Sequence, residues 1–531
     1  MQNRRQPDIL LIVLDTLRAD RLSSYGYKRN TSPNLDAFAE EGVSFKRAIS
    51  PAQWTVPAHA SLFTGEYPTT HMTTQIYDRH PESQKTLAEL LRDHGYATVG
   101  FCNNPLLGTV DNGLDRGFEA FYNYGGTIPE RPPIGESRPN VLSKVAQRLS
   151  RELRKITTPL QDAFARSDLL LKIALHPWIV PLWHSHINFK GNTTQSINDV
   201  VGYLRTRQRK GAERPLFTFF NLMETHLPFR PSMRFVRKFA PYYRRDREAR
   251  EFMQNYNLEH YRWMVPLREP LSELQDRVIN DMYDTEIAYL DHLLQPLYQY
   301  LDDPEVRDNT LVIITSDHGE GMNNHDFVGH SLVAYDDLVH VPLVLRYPRQ
   351  LPEGEETTTP VSTRRVFHTA LQAAGITDVH HGNGNGDGKH VSIDVNGLSL
   401  ERALNGEDKE QGRVLTEAYV PDTLIRLMKN GDDDAIEKYR CYQMRRAVYR
   451  DRYKLIEVGD SPDELFDIEQ DPRETHNLLT EHEDLVAELG TLLNTFVLGS
   501  KKRRPNGETE QIELDDDSEL TERLRGLGYL N

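Results

Sequence analysis

The chain is poor in cysteine. Cys102 and Cys441 are the only two in 531 residues, too few for a disulfide framework and too far apart for a cysteine metal motif. Long hydrophobic runs are also missing. Near the start, Arg4 and Arg5 precede an apolar stretch, Ile9–Leu14, that ends at Asp15. That stretch is too short for the core of a secretory leader or for a membrane span, so the expectation is a cytoplasmic protein whose first apolar run is a buried strand. Positive charge is in deficit: 63 Lys and Arg stand against 79 Asp and Glu, a net charge of −16, which argues against nucleic acid as a partner. The remainder, 38% hydrophobic and 27% charged residues, is the composition of a globular protein long enough for a large domain and a smaller one.

The periodicity points to an α/β fold. Ile9–Leu14 is apolar at every position, as in a parallel strand covered on both faces. Ala97–Phe101, Leu216–Leu222, Leu311–Thr315 and Pro342–Arg346 read as further strands, with helices over Pro33–Glu41 and Thr86–His94 between them. The expected architecture is a large central, mostly parallel sheet sandwiched by helices over residues 1–378. Two insertions interrupt it. Residues 126–190 begin Pro-rich and become helical and basic, and residues 230–275 hold ten Lys or Arg against six Asp or Glu. A Gly/His-rich loop over 379–391 follows. Residues 392–499 then read as a small antiparallel-sheet subdomain, with strands Arg445–Tyr449, Tyr453–Val458 and Glu464–Asp467 and a helix from Glu483 to Leu498. Residues 500–531 are expected to be a charged, mobile tail ending in a short amphipathic helix, Leu520–Leu530.

Four polar clusters sit just past strand ends, where open α/β sheets bind ligands. Asp15 follows the first strand, Asn103 and Asn104 follow Ala97–Phe101, His226 follows Leu216–Leu222, and Asp317 and His318 follow Leu311–Thr315. Two carboxylates and an imidazole suit one divalent cation, with Asp15, Asp317 and His318 as ligands and the hydroxyl of Thr55 completing the set. Thr55 has the form of a helix N-cap, with Pro57 just inside the helix. A bound anion there would lie at a helix N-terminus, which favours negative charge.

The stretch from Trp54 to Gly65, with Thr55, Pro57 and His59, resembles the nucleophile loop of the sulfatase family within the alkaline phosphatase superfamily. Leu14–Asp20 is similar to that family's first metal segment, Ser316–Glu320 to its second, and Leu465–Glu474 followed by Asn477 and Leu478 to its C-terminal segment. The resemblance implies a metal-dependent ester hydrolase with Thr55 as nucleophile. It also implies His226 and His330 as candidates for protonating the leaving group and binding the anion, with Thr16, Asn103 and Asn104 lining the substrate. His59, where the family has Arg, is a candidate for orienting Thr55 or taking its proton.

The departures are informative. Thr16 replaces a second Asp and His318 an amide, which points away from Ca²⁺ toward Mn²⁺ or Zn²⁺. His330 stands where many members have Lys, and the Lys-Trp-His segment is absent. In these respects the chain is similar to phosphonate monoester hydrolases, and its threonine to that of phosphoglycerol transferases. A family sulfatase oxidises Cys or Ser to formylglycine, whereas threonine cannot give that aldehyde because its β-carbon carries a methyl group. The reading is therefore of phosphate mono- or diester hydrolysis, or phosphoryl transfer, through a covalent threonine, on a small anionic ester or glycan. Three alternatives remain: a sulfuric-ester hydrolase without formylglycine, a membrane-surface glycan-modifying phosphotransferase, and a non-catalytic binding module. The second would use peripheral membrane contact through residues 141–183, where Val141, Leu142, Val145 and Leu149 form an apolar stripe beside Lys144 and Arg148.

Overall fold

A computed structural model describes residues 6–125, 131–132, 190–258, 263–264, 270–330, 332–382, 390–428, 433–505, 510–512, 520, 521, 524 and 527. Most of the first expected insertion, including the 141–183 stripe, lies outside the described residues, as do parts of 230–275, of the Gly/His-rich loop and of the tail.

The strands that position the site are β1 (Asp8–Leu14), β2 (Val43–Phe45), β3 (Ala97–Cys102), β4 (Ala120–Asn123), β5 (Leu216–Leu222), β6 (Thr310–Thr315), β7 (Leu343–Arg346) and β8 (Glu355–Thr357). They form one sheet in the order β8-β2-β7-β6-β1-β5-β3-β4. Strands β6, β1, β5, β3 and β4 run parallel, and β7 runs antiparallel to both its neighbours. β1 is therefore central and pairs with β5 on one side and β6 on the other.

The continuous apolar run of β1 is explained by two cores. Ile9, Leu11 and Val13 pack on one face with α2 (Thr55–Thr64), α3 (Leu87–Asp93) and α6 (Arg365–Ala373) through Val56, Phe63, Leu91 and Phe367. Leu10, Ile12 and Leu14 pack on the other with α1 (Pro33–Glu40), α4 (Thr193–Arg209) and α5 (Glu273–Leu293) through Phe38, Val200, Met282 and Ile287. A strand whose side chains alternate between two helical layers has no solvent face, so every position from Ile9 to Leu14 is apolar. Thr86 caps α3 in a capping box with Glu89, which fixes where that helix starts.

The small sheet is antiparallel, in the order β9 (Val414–Ala418), β10 (Arg445–Arg450), β11 (Tyr453–Val458) and β12 (Ser461–Asp467), and α7 (Glu483–Lys502) packs on it through Leu489, Leu493 and Val497. A bridge between Ala52 and Glu417 ties it to the loop before α2. Ile393, Val395, Leu400 and Ala403, which follow the Gly/His-rich tract, belong to the core of the large sheet.

Two local expectations are corrected. The flanks of the Gly/His-rich tract, Asp378–Gly382 and His390–Asp394, pair as an antiparallel hairpin. The start of the charged tail is docked rather than mobile: α7 continues to Lys502, Arg504 donates to the Thr69 carbonyl at 2.6 Å, and the Ile512 amide donates to the Tyr77 carbonyl at 2.8 Å. Leu524 and Leu527, within the expected terminal helix, are buried in the large core.

Candidate active site

Because β6, β1 and β5 are adjacent and parallel, the residues that follow them emerge side by side. Asp15, Asp317 and His318 are fully buried, and one ligand atom from each lies within 4.8 Å of the others. Neighbours orient every member of this trio. Asp15 Oδ2 accepts from the Asn104 side chain at 2.8 Å and from Asn221 at 3.4 Å. Asp317 Oδ1 accepts from the backbone amides of Thr16 at 3.2 Å and His318 at 2.9 Å. His318 donates from Nδ1 to the Gly319 carbonyl at 2.9 Å, which leaves Nε2 as the nitrogen aimed inward.

The donor set fits a divalent cation. Asp15 Oδ1 and Asp317 Oδ2 are buried and make no hydrogen bond among the described residues, an arrangement that is costly unless something positive binds them. Burial, with Asp317 adding its charge, pushes the Asp15 carboxyl up to about 8. Burial likewise pushes Asp317 up to about 7 and His318 down to about 4. A bound cation reverses that balance by compensating the two carboxylates directly.

Thr55 is the first residue of α2, with Trp54 in the cap position, so it is not the N-cap that its sequence context suggests. Its Oγ1 lies 3.3 Å from His318 Nε2 and is buried with the trio. Pro57 sits at the third helical position, where its missing N–H has no intrahelical role.

His59 points elsewhere than at the Thr55 hydroxyl. One turn along α2, its Nδ1 donates to the Thr55 carbonyl at 3.0 Å and lies 3.5 Å from Asp317 Oδ2. Burial pushes this imidazole down to about 3. His226 donates from Nδ1 to the Leu227 carbonyl at 2.6 Å. The rings of His226 and His330 lie 4.9 Å apart, and those of His318 and His330 4.6 Å apart, so the structure gathers these three histidines at one wall. Thr16 is buried with a φ of 60°, a left-handed conformation that is strained for a β-branched residue; the Tyr283 hydroxyl, donating to its carbonyl at 2.6 Å, helps to hold it. The two asparagines differ: Asn104 orients Asp15, whereas Asn103 donates to Thr193 Oγ1 at 3.2 Å.

Three groups have no assigned role in the sequence analysis. Asn221 is the polar residue of an otherwise nearly all-apolar strand, a signal that was available. Lys190 is buried near the histidine wall, donating to the Glu224 carbonyl at 2.7 Å and to Glu286 at 3.3 Å; it belongs to no motif. Arg18 braces the loop after β6. It donates to the Glu320 carbonyl at 3.0 Å and to Asp337 at 2.6 Å. A Cβ at Gly319 would meet the Asp337 carbonyl oxygen at 2.0 Å, so only glycine permits that approach.

The profile of the Sulfatase family matches residues 7–376. The chain is 24% identical to the uncharacterised sulfatase YidJ of Escherichia coli over 492 residues, covering 90% of this chain and 83% of the relative. It is 22% identical to an N-acetylgalactosamine-6-O-sulfatase of Bacteroides thetaiotaomicron, covering 93% and 94% of the two chains. The fold is similar to the crystal structure of a phosphonate monoester hydrolase of Agrobacterium radiobacter, with a TM-score of 0.62 at 22% identity over 93% of this chain and 96% of that one. Among the described residues no helix is long and apolar enough to cross a membrane.

Proposed function

This chain belongs to the sulfatase family of metal-dependent ester hydrolases, and within that family we propose that it acts on phosphate mono- or diesters, by hydrolysis or by phosphoryl transfer, through a covalent intermediate on Thr55. The observation that carries this reading is the placement of a threonine hydroxyl 3.3 Å from His318 Nε2, beside Asp15 and Asp317, each of which has a buried oxygen that makes no hydrogen bond among the described residues.

The chemistry of threonine decides between esters. A formylglycine hydrate has two geminal hydroxyls, one to attack sulfur and one to expel sulfate by collapse to the aldehyde. Thr55 has one hydroxyl and a methyl on the same carbon, so collapse is closed to it. Its Oγ attacks phosphorus, the bond to the alcohol oxygen breaks, and that oxygen leaves with the electron pair and takes up a proton. Water or an acceptor alcohol then attacks the phosphothreonine in line and regenerates the hydroxyl.

Asp15, Asp317, His318 and Thr55 would hold the cation, which when bound lowers the pKa of the hydroxyl and offsets charge on the phosphoryl group. Two carboxylates, one imidazole and one hydroxyl suit Mn²⁺ or Zn²⁺ better than the all-oxygen shell of Ca²⁺. At the N-terminus of α2, the backbone dipoles favour the anionic ester. His226 and His330 bind the anion and serve the leaving oxygen, and Asn104 keeps Asp15 oriented.

Sulfate-ester hydrolysis without formylglycine is the second reading, favoured by the relatives, which carry sulfatase names. A paired assay on aryl phosphate, aryl phosphodiester and aryl sulfate separates the two, with mass spectrometry of quenched protein to look for 55-phosphothreonine. Turnover of sulfate esters alone, with no phospho-adduct, overturns the phosphate reading.

A further inference from the structure

The loop after β6 carries a carboxylate that the reaction above does not use. Glu320 is fully buried two residues after His318. Its Oε1 lies 2.9 Å from Nδ1 of His330. The two residues are brought together by a short hairpin, in which Gly321 and Met322 pair antiparallel with Gly329 and Val328. That register makes Glu320 and His330 the next opposed pair of the ladder, beyond Gly321 and Gly329. The pairing is braced from behind, since Arg18 holds the Glu320 carbonyl at 3.0 Å.

An imidazole ring can present either nitrogen, and the partner of one nitrogen decides which the other side sees. With Nδ1 engaged by Glu320, the remaining nitrogen of His330, Nε2, is buried and makes no hydrogen bond among the described residues. The ring stands against those of His318 and His226. The other oxygen of Glu320, Oε2, makes no hydrogen bond among the described residues, and the remaining side chains that act on the carboxylate, His318, Arg18 and Lys190, do so through their charge. A buried carboxylate hydrogen-bonded to a histidine ring nitrogen is the arrangement by which a second layer of residues fixes the ring of a first.

We propose that Glu320 is a positioning residue for the reaction. By accepting from Nδ1–H it fixes the His330 ring so that Nε2 faces the ester, where that nitrogen, when it also carries a proton, donates to the anion or to the leaving oxygen. Glu320 acts on turnover only through His330. This rests on the reading that His330 contacts the reacting anion.

The test is a double-mutant cycle on the metal-loaded full chain with Glu320→Ala, Glu320→Gln, His330→Ala and the Glu320→Ala/His330→Ala pair. kcat and KM are measured on the ester that the wild type turns over fastest, and melting is recorded for each variant. Glu320→Ala is expected to lower kcat/KM about 10–100-fold, the range for removing such a supporting partner. Glu320→Gln, whose amide oxygen still accepts from Nδ1, is expected to regain most of that loss. The double variant is expected to be no slower than His330→Ala alone. Losses that multiply in the double variant, or a Glu320→Ala protein with wild-type kinetics, overturn the proposal. Should Glu320→Ala fail to fold, the isosteric Glu320→Gln is compared with and without His330→Ala, and multiplying losses again overturn it.

A second readout needs no turnover and so separates this inference from the reading beneath it. ¹⁵N-histidine NMR of the metal-loaded protein is expected to show a hydrogen-bonded Nδ1–H for His330, identified by its loss in His330→Ala. That signal is expected to disappear or change in Glu320→Ala. An identical ring signal with and without Glu320 overturns the positioning role even if no ester is found.

Discussion

Thr55 Oγ1 and His318 Nε2 lie 3.3 Å apart although 263 residues separate them in the chain. One comes from the first turn of α2 and the other from the end of β6, and both side chains are fully buried. This contact joins the hydroxyl to the cluster of Asp15, Asp317 and His318.

Thr55→Ala is expected to lose about 10²–10⁴-fold in kcat/KM, the scale of a lost catalytic group. Thr55→Ser keeps the hydroxyl and is expected to stay within reach of wild type. Steady-state kinetics on both variants decide the matter. Equal rates for Thr55→Ala and wild type would reduce Thr55 to a structural residue at the start of α2.

The metal cluster is expected to hold one divalent cation, measurable by elemental analysis after gel filtration. Asp317→Asn is expected to lose both the cation and turnover while remaining folded, since these ligands lie at strand ends rather than in the apolar layers. Saturating Mn²⁺ or Zn²⁺ is expected to raise the melting temperature of the wild type and not of the variant; a cation at 100 times its Kd stabilises by about 2.7 kcal/mol. Full activity after exhaustive chelation counts against the site.

With Mn²⁺ or Zn²⁺ supplied, aryl phosphodiester or phosphomonoester turnover is expected to exceed aryl sulfate turnover. The physical reason is the single hydroxyl of Thr55, which leaves sulfate release without its collapse step. Side-by-side progress curves at one enzyme concentration give the ratio directly.

A fourth prediction concerns stability. Lys454 of β11 is fully buried and donates to Asp336 at 2.7 Å, with Glu474 as its second carboxylate. Lys454→Met strands two buried carboxyls and is expected to cost about 3–5 kcal/mol in urea unfolding at neutral pH. Burial penalises the Asp336 carboxylate, but Lys454 outweighs it and holds the group below its usual 3.8. A depressed carboxylate stabilises the fold above its unfolded value and ceases to do so as the pH falls through its folded one. Without Lys454, burial dominates these carboxyls and raises them, so the variant is relieved by protonation before the wild type is. The gap between wild type and Lys454→Met is therefore expected to be largest at neutral pH and to narrow as the pH falls. It stops narrowing only once Asp336 is protonated in the wild type as well, below its usual 3.8. A gap that is the same at pH 3 and pH 7 would show that the loss is one of packing.

Much of this was legible from residue order. Strand Leu216–Leu222 is read with the bounds that the structure has, and β1, β3 and β6 come within one residue at an end, because strands buried on both faces are dense apolar runs with few polar positions to blur them. Asp15, Asp317 and His318 were legible as a candidate site because the segments just past parallel strands are where open α/β sheets bind ligands. Helix starts were less secure. Thr55 reads as a cap, yet Trp54 takes that position in extended conformation, since the chain must turn into α2 from the loop that bridges to Glu417.

What the sequence alone determined is the chemistry on offer: two carboxylates and several imidazoles just past strand ends, and at position 55 a threonine hydroxyl rather than a cysteine or serine. What only the tertiary structure decided is which of these groups meet and in which orientation. His59, one helical turn from Thr55, turns to that residue's carbonyl rather than its hydroxyl because the helical i to i+4 geometry places the ring there. Glu320 and His330 face one another through the register of a hairpin, and Lys190 reaches Glu286 across 96 positions of chain. Such pairings depend on register and packing between segments, a property of the folded chain that local residue order does not encode.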